Sequence, residues 1–276
     1  MKLRLWQVDA FARRVFEGNP AAVVPLDQWI DAGTMQAVAQ ENNLAETAFI
    51  LSRGNSEYDL RWFTPSTEVP MCGHATLASA WVIFAELAPD LDVVHFATKS
   101  GILTVERSPD GKHRMALPAG LWQPLAVPDL AVSLGRCLSV APPAELYWAP
   151  TGAGGISGVI ALWSESDLRS IRLSAGLEPL LTAVTAGGLL ATARAEAGSH
   201  DFVSRFFAPG LGVPEDPVTG SMHATLAPFW ATRLGKNQLH AFQASQRGGD
   251  LLCRVDGAQV VLSGPCALYL KGEIEI

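Results

Sequence analysis

The sequence predicts an α+β fold of two pseudo-symmetric halves, each a curled β-barrel-like sheet around a central helix. Three observations lead to this fold class. The chain contains an internal repeat with a long period, most of its apolar segments are short and strand-like, and a proline-containing stretch separates two parts of similar length. With 276 residues, of which 49% are hydrophobic, the chain is long and apolar enough for two modest cores.

The internal repeat consists of two blocks that recur in the same order. The pentapeptide RWFTP at residues 61–65 recurs as RFFAP at residues 205–209, an offset of 144 residues. The pentapeptide HATLA at residues 74–78 recurs unchanged at residues 223–227, an offset of 149 residues. Solenoid repeats have much shorter periods, about 20–50 residues. We therefore interpret the repeat as the duplication of a whole half of the protein.

Each copy of the repeat predicts a strand, a loop and a central helix. The two strands are predicted at residues 60–63 and 202–207, and the two alanine- and leucine-rich helices at residues 74–87 and 221–234. Further strands are predicted at residues 3–12, 21–24, 47–51, 93–97, 101–107, 145–148, 158–163, 189–195, 251–255 and 259–262. Further helices are predicted at residues 27–41, with Asp27 or Asp31 as the cap, and from residue 166 onwards.

The domain boundary is expected at the proline-containing stretch. The N-terminal half is predicted at residues 1–118, the linker at 119–128 and the C-terminal half at 129–276, with a last strand that can return to the N-terminal half.

The composition argues against several classes of function. The net charge is −7 and no block of lysine or arginine is present, so nucleic acid is not an expected partner. No apolar stretch is long enough to cross a membrane and the N-terminus lacks a signal-peptide pattern. The four cysteines are scattered without a CxxC motif, so we expect no disulfide framework, no metal site and a cytoplasmic location. No dinucleotide or P-loop motif is present, and no cofactor is expected.

A glycine opens each of the two central helices, and these helix starts are candidate anion sites. Gly73 follows Cys72 in the first copy, and Gly220 follows Thr219 in the second. A helix N-terminus carries unpaired N–H groups and partial positive charge, so two facing helix starts would bind a substrate carboxylate. The alternative is that both are ordinary helix starts where glycine allows close packing.

Glu46 and His74 are the candidate acid/base pair. Glu46 lies at a helix-to-strand junction before an apolar run, and a carboxylate in apolar surroundings has a raised pKa that suits proton transfer. The alternative is a surface glutamate at the start of a strand. His74 lies at a helix start, where the dipole favours a neutral imidazole that relays a proton. His223, its counterpart in the repeat, is expected to be structural.

Two further side chains have both a chemical and a structural interpretation. The change of offset predicts a five-residue insertion, residues 215–219, present only in the second copy between Pro214 and His223. Asp216 in this insertion is a candidate for a one-sided catalytic group, or it belongs to a solvated acidic loop. Cys72 is either an activated thiolate at a helix N-terminus or a buried small apolar residue.

Six blocks of the chain resemble the PhzF isomerase family of phenazine biosynthesis. They are DAF at residues 9–11, GNPAAV at 18–23, NLAETAF at 43–49, LRWFTP at 60–65, CGHATLAS at 72–79 and EDPVTGS at 215–221. Later blocks, APFW at 227–230, LGK at 234–236 and SQRGG at 245–249, resemble the phenazine biosynthesis-like domain proteins. The similarity covers nearly the whole chain and is weakest at residues 121–200.

The resemblance implies a fold, a reaction type and a set of site residues. The implied fold is that of diaminopimelate epimerase, and the implied reaction is a cofactor-independent proton shift on a small cyclic or amino carboxylate. The catalytic residues carried over are Glu46, His74, Asp216 and Ser221. The substrate-binding residues carried over are Asn19, Cys72, Gly73, Thr219 and Gly220. The family also implies a homodimer.

Two alternatives stay open at this point. The related epimerases use two opposed cysteines, and here Thr219 stands where the second would be; an epimerase or dehydratase that uses Cys72 with Thr219 is therefore one alternative. The other is a catalytically silent protein that binds a metabolite or a partner. The joint presence of Glu46, His74, Asp216 and Ser221 favours an enzyme over this second alternative.

Overall fold

A computed structural model describes residues 1–150 and 156–276, and the chain divides into two compact units. Unit 1 comprises Met1–Ala116 and Ser263–Ile276, and unit 2 comprises Leu117–Leu262. The strands in the described residues are, in chain order, β1 (Lys2–Ala10), β2 (Asn19–Leu26), β3 (Glu46–Gly54), β4 (Glu57–Phe63), β5 (Glu68–Val69), β6 (Val93–Thr98), β7 (Gly101–Arg107), β8 (His113–Pro118), β9 (Gln123–Pro124), β10 (Glu145–Ala149), β11 (Gly158–Leu162), β12 (Gly188–Arg194), β13 (Phe202–Ala208), β14 (Val213–Asp216), β15 (Gln238–Gln243), β16 (Gly249–Asp256), β17 (Gln259–Gly264) and β18 (Cys266–Glu275).

The helices are few and mostly short compared with the strands, which agrees with the predicted α+β class. The α-helices in the described residues are α1 (Ala32–Asn42), α2 (Gly73–Val82), α3 (Leu130–Leu138), α4 (Glu165–Ser170), α5 (Leu177–Ala183) and α6 (Gly220–Leu234). A π-helical segment at Ile83–Leu87 continues α2, and a 3₁₀ turn at Pro209–Leu211 follows β13. No helix in the described ranges is both long enough and apolar enough to span a bilayer.

Unit 1 is a sheet that surrounds helix α2. Strand β1 pairs antiparallel with β2 and with β18, β2 runs parallel to β3, and β3 is antiparallel to β4. Strand β4 is antiparallel to β5 and parallel to β6, which leads to the antiparallel β7. Helix α2 contacts β1, β2, β3, β7 and β18, and every residue from Gly73 to Ala80 is buried. A helix that is buried on all sides is the centre of its unit.

Unit 2 repeats this strand order. Strand β10 is antiparallel to β11, β11 runs parallel to β12, and β12 is antiparallel to β13. Strand β13 is antiparallel to β14 and parallel to β15, which leads to the antiparallel β16. Helix α6 follows β14 as α2 follows β5, and it packs against β15 and β16. The shared order confirms the predicted fold class of two similar α+β halves.

The structure corrects the predicted position of the insertion in the second copy. Trp62 on β4 pairs with Val69, and the equivalent Phe206 on β13 pairs with Asp216. Glu215 is therefore the counterpart of Glu68 rather than part of a segment unique to unit 2. Part of the difference in offset comes from additional residues in the 3₁₀ turn after β13. The rest arises because the HATLA block begins further along helix α6 than along helix α2.

Several predicted elements have different bounds in the structure. The helix predicted at residues 27–41 begins at Ala32, because Asp31, and not Asp27, accepts a hydrogen bond from the Thr34 backbone N–H and caps it. The helix predicted to run to residue 87 ends as an α-helix at Val82. Strands β5, β8, β9, β14 and β15 were not predicted. The last strand, predicted without bounds, is β18, which pairs with β1 in unit 1.

Candidate active site

Three chain segments of unit 1 bring Asn19, Glu46 and His74 together. Glu46 is the first residue of β3 and Asn19 the first of β2; in the parallel register of these strands Ala21 pairs with Glu46. Asn19 therefore lies on the same face and at the same end of the sheet as Ala21. His74 is in the first turn of α2, which packs against both strands.

The turn before Asn19 requires a glycine. Gly18 has a φ of +64°, and a Cβ at this position would come 2.1 Å from the carbonyl oxygen of Ala10. Only glycine fits this close approach in a left-handed conformation. The GNP sequence therefore serves to place the Asn19 side chain, which is fully buried, beside α2.

His74 is the centre of the cluster. Its Nε2 lies 3.0 Å from Oε2 of Glu46, and its Nδ1 lies 3.2 Å from Nδ2 of Asn19. The Sγ of Cys72 is 3.5 Å from the same Nδ1. His74 and Cys72 are 5% and 6% exposed, whereas the side chain of Glu46 is 16% exposed. Among these residues, Glu46 is thus the one most open to a molecule that enters from outside.

One oxygen of Glu46, Oε2, is buried beside His74. Although Oε2 lies within 3.0 Å of His74, it is buried and makes no hydrogen bond of good geometry to any described residue. The contact with His74 is therefore an electrostatic pairing that holds the carboxylate in place. A buried oxygen without a well-formed hydrogen bond lowers stability, and a functional role is one reason for a protein to retain it.

Burial and charge act on the two buried partners in opposite ways. Burial, and after it the negative charge of Glu46, raises the pKa of the Cys72 thiol to about 11, so this group is a neutral thiol near pH 7. Burial, the largest single effect, lowers the pKa of His74, but its interactions with Cys72 and with the Glu46 carboxylate together raise that pKa well above its ordinary value. Since Cys72 is a thiol, the Glu46 carboxylate is the partner that favours the imidazolium.

These electrostatics change two expectations drawn from the sequence. The helix dipole alone predicts a neutral His74, but a carboxylate 3.0 Å away favours the charged form. An activated Cys72 thiolate is not supported, because the side chain is buried and its pKa is raised. The structural interpretation of Cys72 as a small buried residue is the better one.

In unit 2, a different polar cluster surrounds the start of α6. The Thr219 hydroxyl donates to Oδ2 of Asp216, and the Thr219 backbone N–H donates to Oε1 of Gln243 over 2.8 Å. Nε2 of Gln243 in turn donates to the Asp216 carbonyl oxygen over 2.8 Å. Ser221, which is half-buried, lies in the first turn of α6 beside Gly220.

Gln243 was not among the residues predicted from the sequence. It is fully buried at the end of β15, and its amide connects the two sides of the loop that leads into α6. A polar residue at the end of an otherwise alternating strand is a weak signal, since most such residues face solvent. Gln243 orients Thr219 and Asp216 rather than adding a titratable group.

His223 is a structural residue of unit 2. Its Nδ1 donates to the Thr219 carbonyl oxygen over 2.8 Å and its Nε2 lies 3.1 Å from the Ser204 hydroxyl. It is fully buried, and burial lowers its pKa to about 4 against the opposing effect of the Thr219 bond. Its position relative to the helix start matches that of Thr76, whose hydroxyl donates to the Cys72 carbonyl oxygen.

The two helix starts have a common feature. The N-cap residues Cys72 and Thr219 both have extended backbone angles, and neither side chain bonds to a first-turn N–H group of its helix. In each unit the first-turn N–H groups are therefore not used by the side chain that usually caps them. Of the predicted site residues, Asn19, Glu46, Cys72, Gly73 and His74 cluster in unit 1. Those that cluster in unit 2 are Asp216, Thr219, Gly220 and Ser221.

Comparison with known proteins first defines the class of fold. The structure of a protein described as a predicted epimerase from Pseudomonas aeruginosa matches 99% of each chain, with a TM-score of 0.77 at 22% identity. At this identity the likeness concerns the fold alone. The chain therefore has the epimerase-like α+β fold of two similar halves.

The chain belongs to the phenazine biosynthesis-like protein family. The family model matches residues 8–272. A protein named as an uncharacterized isomerase in Pseudomonas aeruginosa is 45% identical over 277 residues and covers all of both chains. The crystal structure of a PhzF-family protein from Enterococcus faecalis covers all of both chains, with a TM-score of 0.89 and 37% identity. These relatives and the fold support an isomerase-type enzyme.

Proposed function

We propose that this chain is a cofactor-independent isomerase that moves a proton on a small cyclic or amino carboxylate, with Glu46 as the proton carrier. The observation that carries the proposal is the pairing of Oε2 of Glu46 with His74 over 3.0 Å in a largely buried cluster. Glu46 is the member of the cluster with the most exposed side chain, so its carboxylate is the group that meets the substrate.

The reaction needs no electron transfer. The Glu46 carboxylate takes a proton from a substrate carbon, and the electron pair of the broken C–H bond shifts to form a new double bond. The same carboxyl group then returns the proton to a different carbon of the same molecule. The substrate is isomerised, the enzyme is regenerated, and atoms and charge balance without a co-reactant.

His74 and Asn19 have a positioning role in this proposal. The charge of Glu46 changes during the reaction, and an imidazole at 3.0 Å can compensate by binding or releasing a proton. Asn19 supports both states, since its amide presents Nδ2 to Nδ1 of a neutral His74 and, when turned over, Oδ1 to a protonated one. Cys72 stays a thiol throughout.

The substrate carboxylate is assigned to the helix starts. The first-turn N–H groups at Gly73 and Gly220 are not capped by Cys72 or Thr219, and charge-assisted bonds to such donors contribute about 1.5–3 kcal/mol each. Asp216 and Ser221 are assigned to orientation of the substrate in unit 2. That both helix starts act on one substrate, and that the protein is a cytoplasmic homodimer, are predictions that rest on the repeat and on the family.

The proposal is tested by proton exchange in D₂O. A panel of amino and hydroxy carboxylates is incubated with the protein, and deuterium uptake at carbon is followed by NMR. Glu46→Gln is expected to lower the exchange rate by about 10²–10⁴-fold, because it removes the general base without changing the size of the side chain. Glu41→Gln, at an exposed position on α1, is the matched control and should exchange like the wild type.

Two outcomes would contradict the proposal. Wild-type exchange rates in Glu46→Gln would exclude Glu46 as the proton carrier. If the wild type bound members of the panel but exchanged no deuterium into any of them, the catalytically silent alternative would explain the fold and the site better.

A further inference from the structure

Unit 2 contains a second cluster of ligand-type side chains, apart from the residues discussed above. His200 precedes β13, His240 lies on β15 and Asp250 lies on β16. In the antiparallel register of β15 and β16, His240 pairs with Leu252 and Phe242 with Asp250, so His240 and Asp250 are diagonal neighbours on one face. Strand β13 runs parallel to β15, which brings His200 alongside.

The ligand atoms of this cluster are close together. Nε2 of His200 lies 2.7 Å from Oδ1 of Asp250, and Nε2 of His240 lies 3.0 Å from the same oxygen. The two imidazole rings are 4.3 Å apart between centroids. One ligand atom from each residue lies within 4.8 Å of the other two. Two imidazoles and a carboxylate at such distances form a ligand set for a divalent transition-metal ion.

The surroundings of His240 prepare it to bind a metal. Its Nδ1 lies 3.2 Å from the Ser199 carbonyl oxygen, to which an N–H at this position donates. In the tautomer in which Nδ1 donates to Ser199, the lone pair of Nε2 is available to an ion bound beside Asp250 and His200. Metal-binding histidines usually donate their other N–H to a carbonyl or carboxylate in this way. The His240 backbone N–H is also fixed, since it donates to Asp201 over 2.8 Å.

The dimensions fit a zinc-type ion after a small adjustment. Zinc bonds of about 2.0–2.2 Å in tetrahedral geometry place neighbouring ligand atoms about 3.3 Å apart. The two N–O separations of 2.7 and 3.0 Å would widen by about 0.3–0.6 Å. The three side chains are 20–25% exposed, so an ion can reach them and water can complete its coordination.

We propose that His200, His240 and Asp250 form a binding site for a divalent transition-metal ion of the zinc type. The bound ion would connect the segment before β13 to β15 and β16. Its role is to stabilise unit 2, and it takes no part in the proton transfer proposed for Glu46. The sequence does not predict this site, because His200 and Asp250 are 50 residues apart and no short metal-binding motif contains both.

A second group of ligand-type residues, Glu46, Cys72 and His74, competes for the assignment. Binding at this group would need the Cys72 thiolate, and burial raises the pKa of that thiol to about 11. Nδ1 of His74 also faces Asn19 and not an open ligand position. The cluster of unit 2 contains no buried thiol and is the better metal site.

The test is a titration of the chelator-treated protein with Zn²⁺ at pH 7.5, in which binding is measured by isothermal titration calorimetry. The wild type is expected to bind one Zn²⁺, and its thermal midpoint should rise on binding. His240→Gln and Asp250→Asn should each weaken binding by at least about ten-fold, the lower limit for the loss of even an indirect contact to a metal. His95→Gln, at a histidine that bonds to Thr104 elsewhere in the fold, is the matched control.

Each result decides the assignment. Wild-type affinity in both His240→Gln and Asp250→Asn, or the absence of zinc binding by the wild type in the titration, overturns it. Loss of binding in Cys72→Ser alone would place the ion at the cluster of unit 1 and would also overturn it. Circular dichroism of each variant establishes that it is folded, and Asp250→Asn preserves the shape of the side chain if a histidine variant does not fold.

Discussion

The starts of helices α2 and α6 occupy equivalent places in the two units but carry different chemistry. At α2 the polar side chains are Glu46, His74 and the thiol of Cys72, all of which can bind or lose a proton. At α6, Asp216 is the titratable group, and it is joined to Thr219 and Gln243 by hydrogen bonds. Under the function proposed above, the first unit carries out the proton transfer and the second orients the substrate.

A shift along the helix accounts for part of this difference. The HATLA blocks match at an offset of 149 residues, whereas the helix starts Gly73 and Gly220 are 147 residues apart. Two residues correspond to a rotation of about 200° around a helix. His74 therefore faces Glu46 on β3, while His223 faces Ser204 on β13. The histidine of the same five-residue block belongs to the candidate site in one unit and to the core in the other.

The largest expected difference between the units concerns their buried ion pairs. Arg205 forms a two-point pair with Glu215 over 2.7 and 3.0 Å and also donates to the carbonyl oxygens of Leu168 and Ile171. Arg61 forms the equivalent pair with Glu68 over 2.8 and 3.0 Å. Glu68, however, has a second cation within reach, since Nζ of Lys99 lies 2.6 Å away.

We expect Arg205→Met to lower the free energy of unfolding by about 3–5 kcal/mol, because it leaves Glu215 without its cation and removes a donor from the carbonyl oxygens of Leu168 and Ile171. Arg61→Met should cost about 1 kcal/mol, since Lys99 still compensates Glu68 and the site is more exposed. Urea denaturation of the two variants measures both effects. Equal losses would mean that Arg205 has no special role in unit 2.

The two buried histidines should give the units opposite pH dependence. Burial lowers the pKa of His223 to about 4, below its ordinary 6.5, so the stability it supports is present above pH 6.5 and is lost as the pH falls through 4. The loss amounts to about 3 kcal/mol. The pKa of His74 is raised, against the effect of burial, by Cys72 and Glu46. The stability that His74 contributes is fully present below pH 6.5 and is lost as the pH rises through its raised pKa.

The measurement is the free energy of unfolding between pH 4 and 8 for His223→Gln and His74→Gln. His223→Gln should flatten the acid side of the stability profile, and His74→Gln the alkaline side. If His74→Gln changed only the acid side, the Glu46–His74 pairing would not stabilise the imidazolium, and the contrast between the units would fail.

The fold was predictable from the sequence where local patterns repeat. The RWFTP and HATLA blocks indicated duplicated halves, and apolar runs indicated most of the paired strands. Strand β15, with the sequence QLHAFQ, was not predicted because it is short and contains few apolar residues, so its alternation is weak. It is held by pairing with β13 and β16. Strand β18 mixes charged and apolar residues, and it forms because it pairs antiparallel with β1.

The site residues of unit 1 follow from the resemblance, but their electrostatics do not. Glu46 and His74 are 28 residues apart, so neither the 3.0 Å contact nor the raised pKa of His74 is visible in a local pattern. For the same reason the sequence could not decide whether Cys72 is a thiolate. Gln243 gives only a weak signal, because its role is set by the backbone of the Thr219 loop.

The smallest expected effect concerns the thiols, and it separates the two interpretations of Cys72. With a pKa of about 11, set by burial and by Glu46, on the order of one in a thousand Cys72 side chains is a thiolate near pH 7.5. Iodoacetamide should therefore modify Cys72 about 10–100-fold more slowly than the half-buried Cys137 of unit 2, as measured by peptide mass spectrometry. In urea the two rates should become similar, which controls for local sequence. Glu46→Gln removes the negative neighbour and should speed the reaction of Cys72. Faster modification of Cys72 than of Cys137 in the folded wild type would instead indicate an activated thiolate. That result would favour an epimerase that uses Cys72 with Thr219 over an isomerase that uses Glu46.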